Sequence, residues 1–244
     1  MIDEEQAASP VQRAAAWAVH VFTASGAVLA LLALLAIDGH RWTEAMLWLF
    51  AALIVDGVDG SLARATHVKT FAARIDGDTL DLVIDYLNYV FVPTMFMLEA
   101  QLLPAGLALP LAAMIQLSSL YVFSRRDMKT DDGYFRGFPA LWNIVALYLF
   151  AAGVSGTLAA AIVAAFIVLA LAPIHFVHPF RVRDYGFLLP ALASLWAVAT
   201  LAMLLDPSPD LSSALLVTSS ASGLAIIAMG LWRTLRGDGA PRPA

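Results

Sequence analysis

The sequence predicts an all-α fold: a polytopic membrane helix bundle of eight transmembrane helices, with both termini in the cytoplasm. Composition is the first observation that predicts it. Hydrophobic residues make up 61% of the 244 residues, charged residues make up 14%, and the mean hydropathy is +0.79. A soluble domain carries about 45–50% apolar and about 25% charged residues. The apolar excess is too large for a buried soluble core, which favours the membrane class.

The spacing of polar breaks is the second observation. A bilayer core needs about 20 mostly apolar residues per helix. The fifth and sixth spans share one charge-free run, Gly137 to Phe180, which is too long for a single helix and is divided by the turn signal GVSG at 153–156. The expected spans are 14–37, 43–63, 78–100, 104–124, 138–153, 157–178, 185–205 and 211–232.

The distribution of basic residues is the third observation. With the N-terminus inside, 13 of the 14 Lys and Arg residues fall in cytoplasmic segments, and only Arg41 falls outside. Cytoplasmic loops of membrane proteins are enriched in Lys and Arg, and a count of seven or nine spans would spoil this alternation. The pattern therefore favours eight helices, an inner-membrane location and multiple passes.

Several function classes are excluded or disfavoured. The chain has no cysteine, so it has neither disulfides nor thiolate chemistry. Its net charge of −5 argues against a nucleic-acid partner. The first ten residues are acidic and lack the basic region of a signal peptide, so the first span is expected to stay in the mature protein. We expect one domain over 1–244, with flexible tails at 1–10 and 236–244.

Acidic residues within spans two and three are anomalous for helices in lipid. An ionised carboxylate at membrane depth costs several kcal/mol, so it should face the bundle interior and meet a partner. Asp56 and Asp59 are three residues apart, and Asp81 and Asp85 are four apart, so each pair shares one helix face. Two neighbouring helices can thus direct four carboxylates to one point.

Four clustered carboxylates repel one another unless protons or divalent cations neutralise them. Oxygen ligands without cysteine indicate Mg²⁺ or Mn²⁺ rather than Zn²⁺. Two such ions are a recurring device for displacement at phosphorus. Gly60 and Gly77 each lie one turn from an acid and leave room for a bulky ligand, and Arg64 can bind a phosphate.

A purely structural interpretation of these charges stays open. Asp59 can pair with Arg64, and Asp81 with Arg74, at the helix ends. Such a network would use only two of the four acids and leaves both glycines unexplained. Two further acids, Asp76 and Asp78, are expected to be interfacial charges or a helix cap.

The pattern resembles the signature of the CDP-alcohol phosphotransferase family, D-x2-D-G-x2-A-R followed by G-x3-D-x3-D. All of its specified positions occur here in order: Asp56, Asp59, Gly60, Ala63, Arg64, Gly77, Asp81 and Asp85. The twelve-residue gap from Arg64 to Gly77 is longer than in common members and, with KTDDGYFRGFPALWN at 129–143, resembles a choline-using bacterial branch. That resemblance covers about residues 11–235. It implies condensation of CDP-diacylglycerol with choline, two Mn²⁺ (or Mg²⁺) ions, a cytoplasmic active site and a homodimer.

The resemblance also implies roles for individual residues. Asp56, Asp59 and Asp81 correspond to metal ligands, and Asp85 to the general base with a further role as a ligand. The residues that correspond to the family's contacts with the CDP moiety are Gly60, Ala63, Arg64, Gly77, Thr23 and His20.

A quaternary ammonium group needs an aromatic cage, a carboxylate, or both. The candidates for a choline pocket are Tyr86, Tyr89, Tyr121, Trp142 and Asn143. For any single aromatic residue, a place in the interfacial belt is the competing interpretation. Serine, glycerol phosphate or inositol phosphate stays open as the acceptor, because the loop at 125–136 supplies basic residues. A metal or proton transporter is a remote alternative, since intramembrane acids also mark ion pathways.

Overall fold

A computed structural model of the protein describes residues 9–206 and 208–237, and this part of the chain is almost entirely helical. Its contacts divide it into two compact units, which meet in sequence at Ala100 and Gln101. The predicted flexible tails lie almost entirely outside the described residues. The single domain over 1–244 stays a prediction.

The first unit begins with two long helices joined by a tight turn. Helix α1 spans Pro10–Asp38 and α2 spans Trp42–Ala65. Ser9 starts α1 with a capping box, since its hydroxyl accepts from the Gln12 amide and the Gln12 side chain accepts from the Ser9 amide. The short helix α3, Val68–Phe71, packs against the start of α1 through a cluster of Ala16, Val19, Val68 and Ala72.

The third predicted span, 78–100, is confirmed as one continuous helical segment, Gly77–Glu99. It consists of α4 (Gly77–Asp85), a π-helix (Tyr86–Phe91) and α5 (Val92–Glu99). Asp76 caps α4, as expected for an interfacial acid, and accepts hydrogen bonds from the amides of Asp78 and Thr79, both at 3.1 Å. The bonds from Thr79, with a smaller one from Asp78, hold the pKa of Asp76 below its ordinary value.

The second unit contains five helices and one small sheet. The elements are α6 (Ala105–Ser124), β1 (Tyr134–Arg136), α7 (Trp142–Ala151), α8 (Gly156–Leu171), β2 (His175–Val177), α9 (Leu188–Leu205) and α10 (Pro209–Arg236). The strands pair antiparallel, with Phe135 opposite Phe176. Gly137 follows β1 with a φ of +84°, and a side chain there would collide with the backbone of Ala170. A glycine is therefore required where the sheet meets the end of α8.

Within the described residues, six helical segments are long and apolar enough to cross a membrane, as in an all-α, multi-pass membrane protein. The two helices in the charge-free run are shorter, at 10 and 16 residues. They are separated by the predicted turn.

The predicted bounds of those two spans, 138–153 and 157–178, need correction. Helix α8 ends at Leu171 because Pro173 forces the preceding Ala172 into extended backbone, at φ −79° and ψ 147°. Helix α7 starts only at Trp142, after Pro139 and an Ala140 with a φ of +57°. Hydropathy and the GVSG turn predict the two helices of this run, whereas Pro139 and Pro173 set their outer ends. The seventh predicted span, 185–205, corresponds to α9, which starts at Leu188 rather than at 185.

Charge is distributed unevenly along the second unit. Several of its described basic residues lie around the sheet, where Arg233 of α10 pairs with Asp132 and Tyr134 donates to Asp184 at 3.0 Å. Partial burial alone would raise the pKa of Asp132, but hydrogen bonds from Thr130 and Arg233 outweigh burial and hold this pKa below its ordinary value. In the described part of the connections at the opposite helix ends, 101–104, 152–155, 206 and 208, there is no Lys or Arg.

Candidate active site

The first unit encloses a cavity between α1, α2 and the third helical segment. Thr23 of α1 lies on one side of it, and the four aspartates of the sequence motif lie on the others. The cavity is lined by Thr23, Ala52, Val55, Asp56, Asp59, Asp81, Ile84, Asp85, Asn88 and Tyr89.

Three of the four carboxylates lie together. One oxygen each from Asp56, Asp81 and Asp85 can be chosen so that all three lie within 4.8 Å of one another. These residues come from two helices and are each partly buried. Asp59 lines the same cavity but is not part of this close group, and its side chain is only 6% exposed. The spacing rule thus correctly predicted the shared face, while the finer arrangement separates Asp59 from the others.

Two hydroxyl groups donate hydrogen bonds to the two aspartates of α2, Asp59 and Asp56. The Thr23 hydroxyl donates to Asp59 Oδ2 at 2.8 Å, and the Tyr89 hydroxyl donates to Asp56 Oδ2 at 2.6 Å. Thr23 and Tyr89 are both buried, so these bonds are shielded from water. Hydrogen bonds between a donor and an ionised acceptor are the stronger kind. Each bond thereby fixes one oxygen of its carboxylate.

The close group of Asp56, Asp81 and Asp85 can hold a metal ion. Carboxylate oxygens are hard ligands, and Mg²⁺ and Mn²⁺ prefer such donors. Like charges at this separation are unfavourable in a partly buried site, and a divalent cation removes that repulsion. The donor set present therefore fits the group that the sequence predicted.

The end of α2 carries the residues predicted to contact a nucleotide. A side-chain carbon added at Gly60 would meet only Arg64 Nη1, at 3.5 Å, so protein packing does not demand a glycine there. The Arg64 guanidinium is exposed and donates to the Ser61 hydroxyl at 3.0 Å. Ala63 instead packs against the cluster that joins α1 to α3. Arg64 remains accessible to an anionic ligand, whereas Ala63 serves packing.

His20 and Gly77 touch across α1 and α4. A carbon added at Gly77 would lie 3.3 Å from His20 Cε1, so the missing side chain allows this close approach. His20 is buried, and its Nε2 lies 3.2 Å from the Ala72 carbonyl oxygen, a geometry in which the ring N–H donates. His20 thereby ties α1 to the segment just before α4.

The predicted choline residues differ in their surroundings. Tyr89 is 4% exposed and its hydroxyl is bound to Asp56, while Tyr86 is only partly buried.

The other three belong to the second unit. Tyr121 is 53% exposed, with Arg125 above its ring. Trp142 is fully buried and donates to Ser119 at 2.8 Å. Asn143 is buried as well, and within the described residues its Oδ1 has no hydrogen-bond partner. Their part in a choline pocket stays a prediction.

Two features of the site were absent from the sequence predictions. Asn88 is 2% exposed and lines the cavity three residues after Asp85. A lone amide inside an apolar span could have indicated a site residue, because polar side chains within membranes are costly and usually functional. The π-helix after Asp85 has no sequence signal that we recognise, although such turns are frequent at functional sites.

Taken together, the helices and the carboxylate cluster define a polytopic membrane protein with a candidate metal site. No family model matches the chain. A phosphatidylcholine synthase from Pseudomonas aeruginosa is 41% identical over 228 residues, which cover 93% of this chain and 95% of the relative. Phosphatidylcholine synthases from Bradyrhizobium diazoefficiens and Agrobacterium fabrum are 45% and 38% identical and cover 79% and 77% of this chain. The chain belongs to the phosphatidylcholine synthase family. This confirms the predicted closeness to the choline-using bacterial branch, and with it the prediction of an enzyme.

Proposed function

We propose that this protein transfers the phosphatidyl group of CDP-diacylglycerol to the hydroxyl of choline, giving phosphatidylcholine and CMP. The observation that carries the proposal is the close group of Asp56, Asp81 and Asp85 in a chain whose relatives are named phosphatidylcholine synthase. Reactions of this type rely mainly on positioning and charge stabilisation, which a rigid cluster of carboxylates with bound cations can provide.

The four aspartates would hold two divalent cations, Mn²⁺ or Mg²⁺. When bound, the cations would supply positive charge at the diphosphate and stabilise the negative charge that develops on departing CMP. Tyr89 and Thr23 would fix the orientations of Asp56 and Asp59, since each donates to one carboxylate oxygen. The remaining carboxylate oxygens are then left for the cations.

Asp85 would act as the general base. The choline oxygen attacks the phosphorus atom of the phosphatidyl group, the bond from that phosphorus to the CMP oxygen breaks, and Asp85 takes the hydroxyl proton. An alcohol has a pKa far above neutrality, so its oxygen needs a positioned proton acceptor. Asp85 is suited to this because it lies in the close group and lines the cavity.

Arg64 and Gly60 would contact the CDP moiety at the cytoplasmic end of α2. The guanidinium is exposed and can form paired hydrogen bonds with a phosphate, and Gly60 leaves space beside it. Gly77 and His20 would shape this region by joining α1 to α4, with Thr23 next to the cavity. Ala63 would contribute through packing rather than through a polar contact.

Choline would bind near the acids, and Tyr86 is the candidate pocket residue within the same unit. Tyr121, Trp142 and Asn143, in the second unit, stay candidates from the sequence alone. The cation carries no hydrogen-bond donor at nitrogen, so aromatic faces and negative charge are the groups that recognise it. Tyr89 has a different proposed role, because its hydroxyl is bound to Asp56.

The protein would lie in the inner membrane with its active site facing the cytoplasm. The concentration of basic residues at one end of the second unit supports this orientation. Eight crossings, both termini in the cytoplasm and a homodimer complete the proposal. Helices α7 and α8, at 10 and 16 residues, would then cross a locally thin region or lie partly inside the bundle.

A substrate panel tests the proposal. Purified full-length protein receives CDP-diacylglycerol, Mn²⁺ and one labelled alcohol at a time: choline, serine, glycerol phosphate or inositol phosphate. The expected result is labelled lipid and equimolar CMP from choline alone. Lipid formed from another alcohol would overturn the choline assignment, and the absence of CMP with every alcohol would overturn the reaction class.

A further inference from the structure

Asn88 has an unusual environment for a buried amide. Its side-chain nitrogen donates to the backbone oxygens of Gly26, at 3.0 Å, and Ile84, at 3.1 Å. Its Oδ1 is buried, and among the described residues no donor reaches it. A buried polar atom without a partner is destabilising, because it has lost its hydrogen bonds to water, so it calls for an explanation.

The orientation of this amide follows from its neighbours. Rotating it by half a turn would place its oxygen against two carbonyl oxygens, and both of the present hydrogen bonds would be lost. The nitrogen therefore points towards Gly26 and Ile84. The unpartnered oxygen lies at the other branch of this amide, and Asn88 is one of the residues that line the cavity.

The cavity shows the same imbalance as a whole. The side-chain donors of its lining are already engaged: Thr23 on Asp59, Tyr89 on Asp56, and the Asn88 nitrogen on backbone oxygens. What the lining presents to an occupant is the oxygens of aspartates and one amide. An occupant that satisfies only acceptors is a cation with its bound water molecules, which binds oxygen through the metal or through water hydrogens.

We propose that Asn88 provides a further, neutral oxygen to the divalent cation held by Asp56, Asp81 and Asp85, either directly or through a water on that cation. This rests on the proposed cation site and extends it to a residue outside the D-x2-D…D-x3-D pattern. A neutral ligand adds affinity without adding to the negative charge of the cluster. It also accounts for the buried oxygen, which is unpaired only until the cation is bound.

The test measures binding of Mn²⁺ alone to the purified full-length protein, by calorimetry and by the electron paramagnetic resonance signal of free Mn²⁺. Groups around a metal site typically contribute 10–100-fold to metal affinity. Asn88→Leu, which has a similar volume but no oxygen, should therefore raise the Mn²⁺ dissociation constant at least about tenfold. The matched control is Thr94→Val, a buried residue of the same helical segment whose hydroxyl donates to the backbone oxygen of Val90. This control should leave the constant within about twofold of wild type.

A second variant keeps the test decisive if Asn88→Leu does not fold. Asn88→Asp keeps an oxygen at this position but loses the donors to Gly26 and Ile84. Its melting temperature without metal should fall, and Mn²⁺ should raise that temperature by more than it does in wild type. An unchanged dissociation constant in Asn88→Leu, or no added response to Mn²⁺ in Asn88→Asp, would show that Asn88 only supports the fold. Wild-type protein that binds no Mn²⁺ would instead overturn the cation site itself.

Discussion

Two groups of buried and partly buried polar side chains lie within the two units, and they differ in the balance of hydrogen-bond donors and acceptors. In the second unit, Tyr148, Trp196, Thr200 and Ser219 form what we call the hydroxyl network, which joins α7, α9 and α10. Its contacts run from the Trp196 indole to Tyr148 at 2.9 Å, from Tyr148 to Ser219 at 2.6 Å, and from Ser219 to Thr200 at 2.7 Å. Every member has a partner within the network.

The cavity of the first unit has an excess of acceptors instead. Its side-chain donors are engaged, and the Asn88 amide oxygen is buried with no hydrogen-bond partner among the described residues. Helices in lipid gain stability from polar contacts that satisfy one another, as in the hydroxyl network. A polar cluster that the protein leaves incomplete is better explained by something it binds. The balance of donors and acceptors, more than the burial of polar groups, separates a site from a structural contact.

The largest expected effect is a loss of activity when Asp85, the proposed general base in the cavity, is replaced. Asp85→Asn keeps the shape but removes the proton acceptor, so CMP release should fall by about 10²–10⁴-fold. The control is Asp78→Asn in the same helix, where the exposed carboxylate pairs only with the exposed Lys69. It should stay within about twofold of wild type, since exposed pairs contribute little. If Asp85→Asn releases CMP at nearly the rate of the control, Asp85 is not the general base.

Tyr89→Phe separates two roles for one residue. The variant keeps the ring but loses the hydrogen bond to Asp56, and bonds to charged groups contribute about 1.5–3 kcal/mol. We expect Mn²⁺ affinity to fall by about 10–100-fold, with little change in the KM for choline at saturating Mn²⁺. The reverse outcome, unchanged Mn²⁺ affinity with an altered choline KM, would mean that the ring contributes to a cage for the quaternary ammonium group.

Ser219→Ala tests the hydroxyl network. Removing the Ser219 hydroxyl leaves Thr200 and Tyr148 without a shared partner, so the free energy of unfolding should fall by about 1–3 kcal/mol. The melting temperature in detergent measures this, and the rate of CMP release at a temperature well below melting should be unchanged. A loss of activity without a loss of stability would contradict a purely structural role.

The smallest expected effect concerns the helix cap. Asp76→Ala should lower the melting temperature, whereas Asp76→Asn, which can still accept from the amides of Asp78 and Thr79, should lower it less. The pKa of Asp76 is lowered in the folded protein, so its contribution is complete above the ordinary aspartate value of about 3.9. It is lost as the pH falls through the lower folded value. The difference between wild type and Asp76→Ala should therefore shrink towards pH 3, and a difference that stays constant would contradict a charged cap.

The sequence predicted the parts of this fold that depend on hydropathy and spacing. Long apolar runs predicted the six long helical segments found among the described residues. The spacing of Asp56 with Asp59, and of Asp81 with Asp85, predicted four carboxylates at one point, and three of them form the close group. Hydropathy failed where proline set the boundaries, since Pro139 and Pro173 lie within apolar runs that a hydropathy average cannot distinguish from helix. Backbone restriction by proline is local, and it overrides the average.

Partners across the site were harder to predict. Tyr89 was expected to face choline, because it lies one turn from Asp85 on an ideal helix. The structure shows that its hydroxyl donates to Asp56 of the neighbouring helix, a contact that the spacing did not predict, and its part in a choline pocket stays a prediction. Likewise, Asp59 was expected to join the other acids or pair with Arg64, and it accepts from Thr23 of α1. Spacing within one helix predicts which side chains share a face, whereas the partner on that face depends on packing between helices.

The π-helix at Tyr86–Phe91 lies between the acids of its span and α5. Each residue of an α-helix turns the chain by about 100°, and a π-turn has the geometry of one residue inserted into such a helix. Because the wider turn absorbs that residue with almost no net rotation, deleting one residue between Tyr86 and Phe91 would restore an ordinary helix and leave Asp81 and Asp85 directed at α2. A single-residue deletion within α5 would instead turn the rest of that helix by about 100°. This span should therefore tolerate a change of length at the π-turn better than in the α-helical turns beside it.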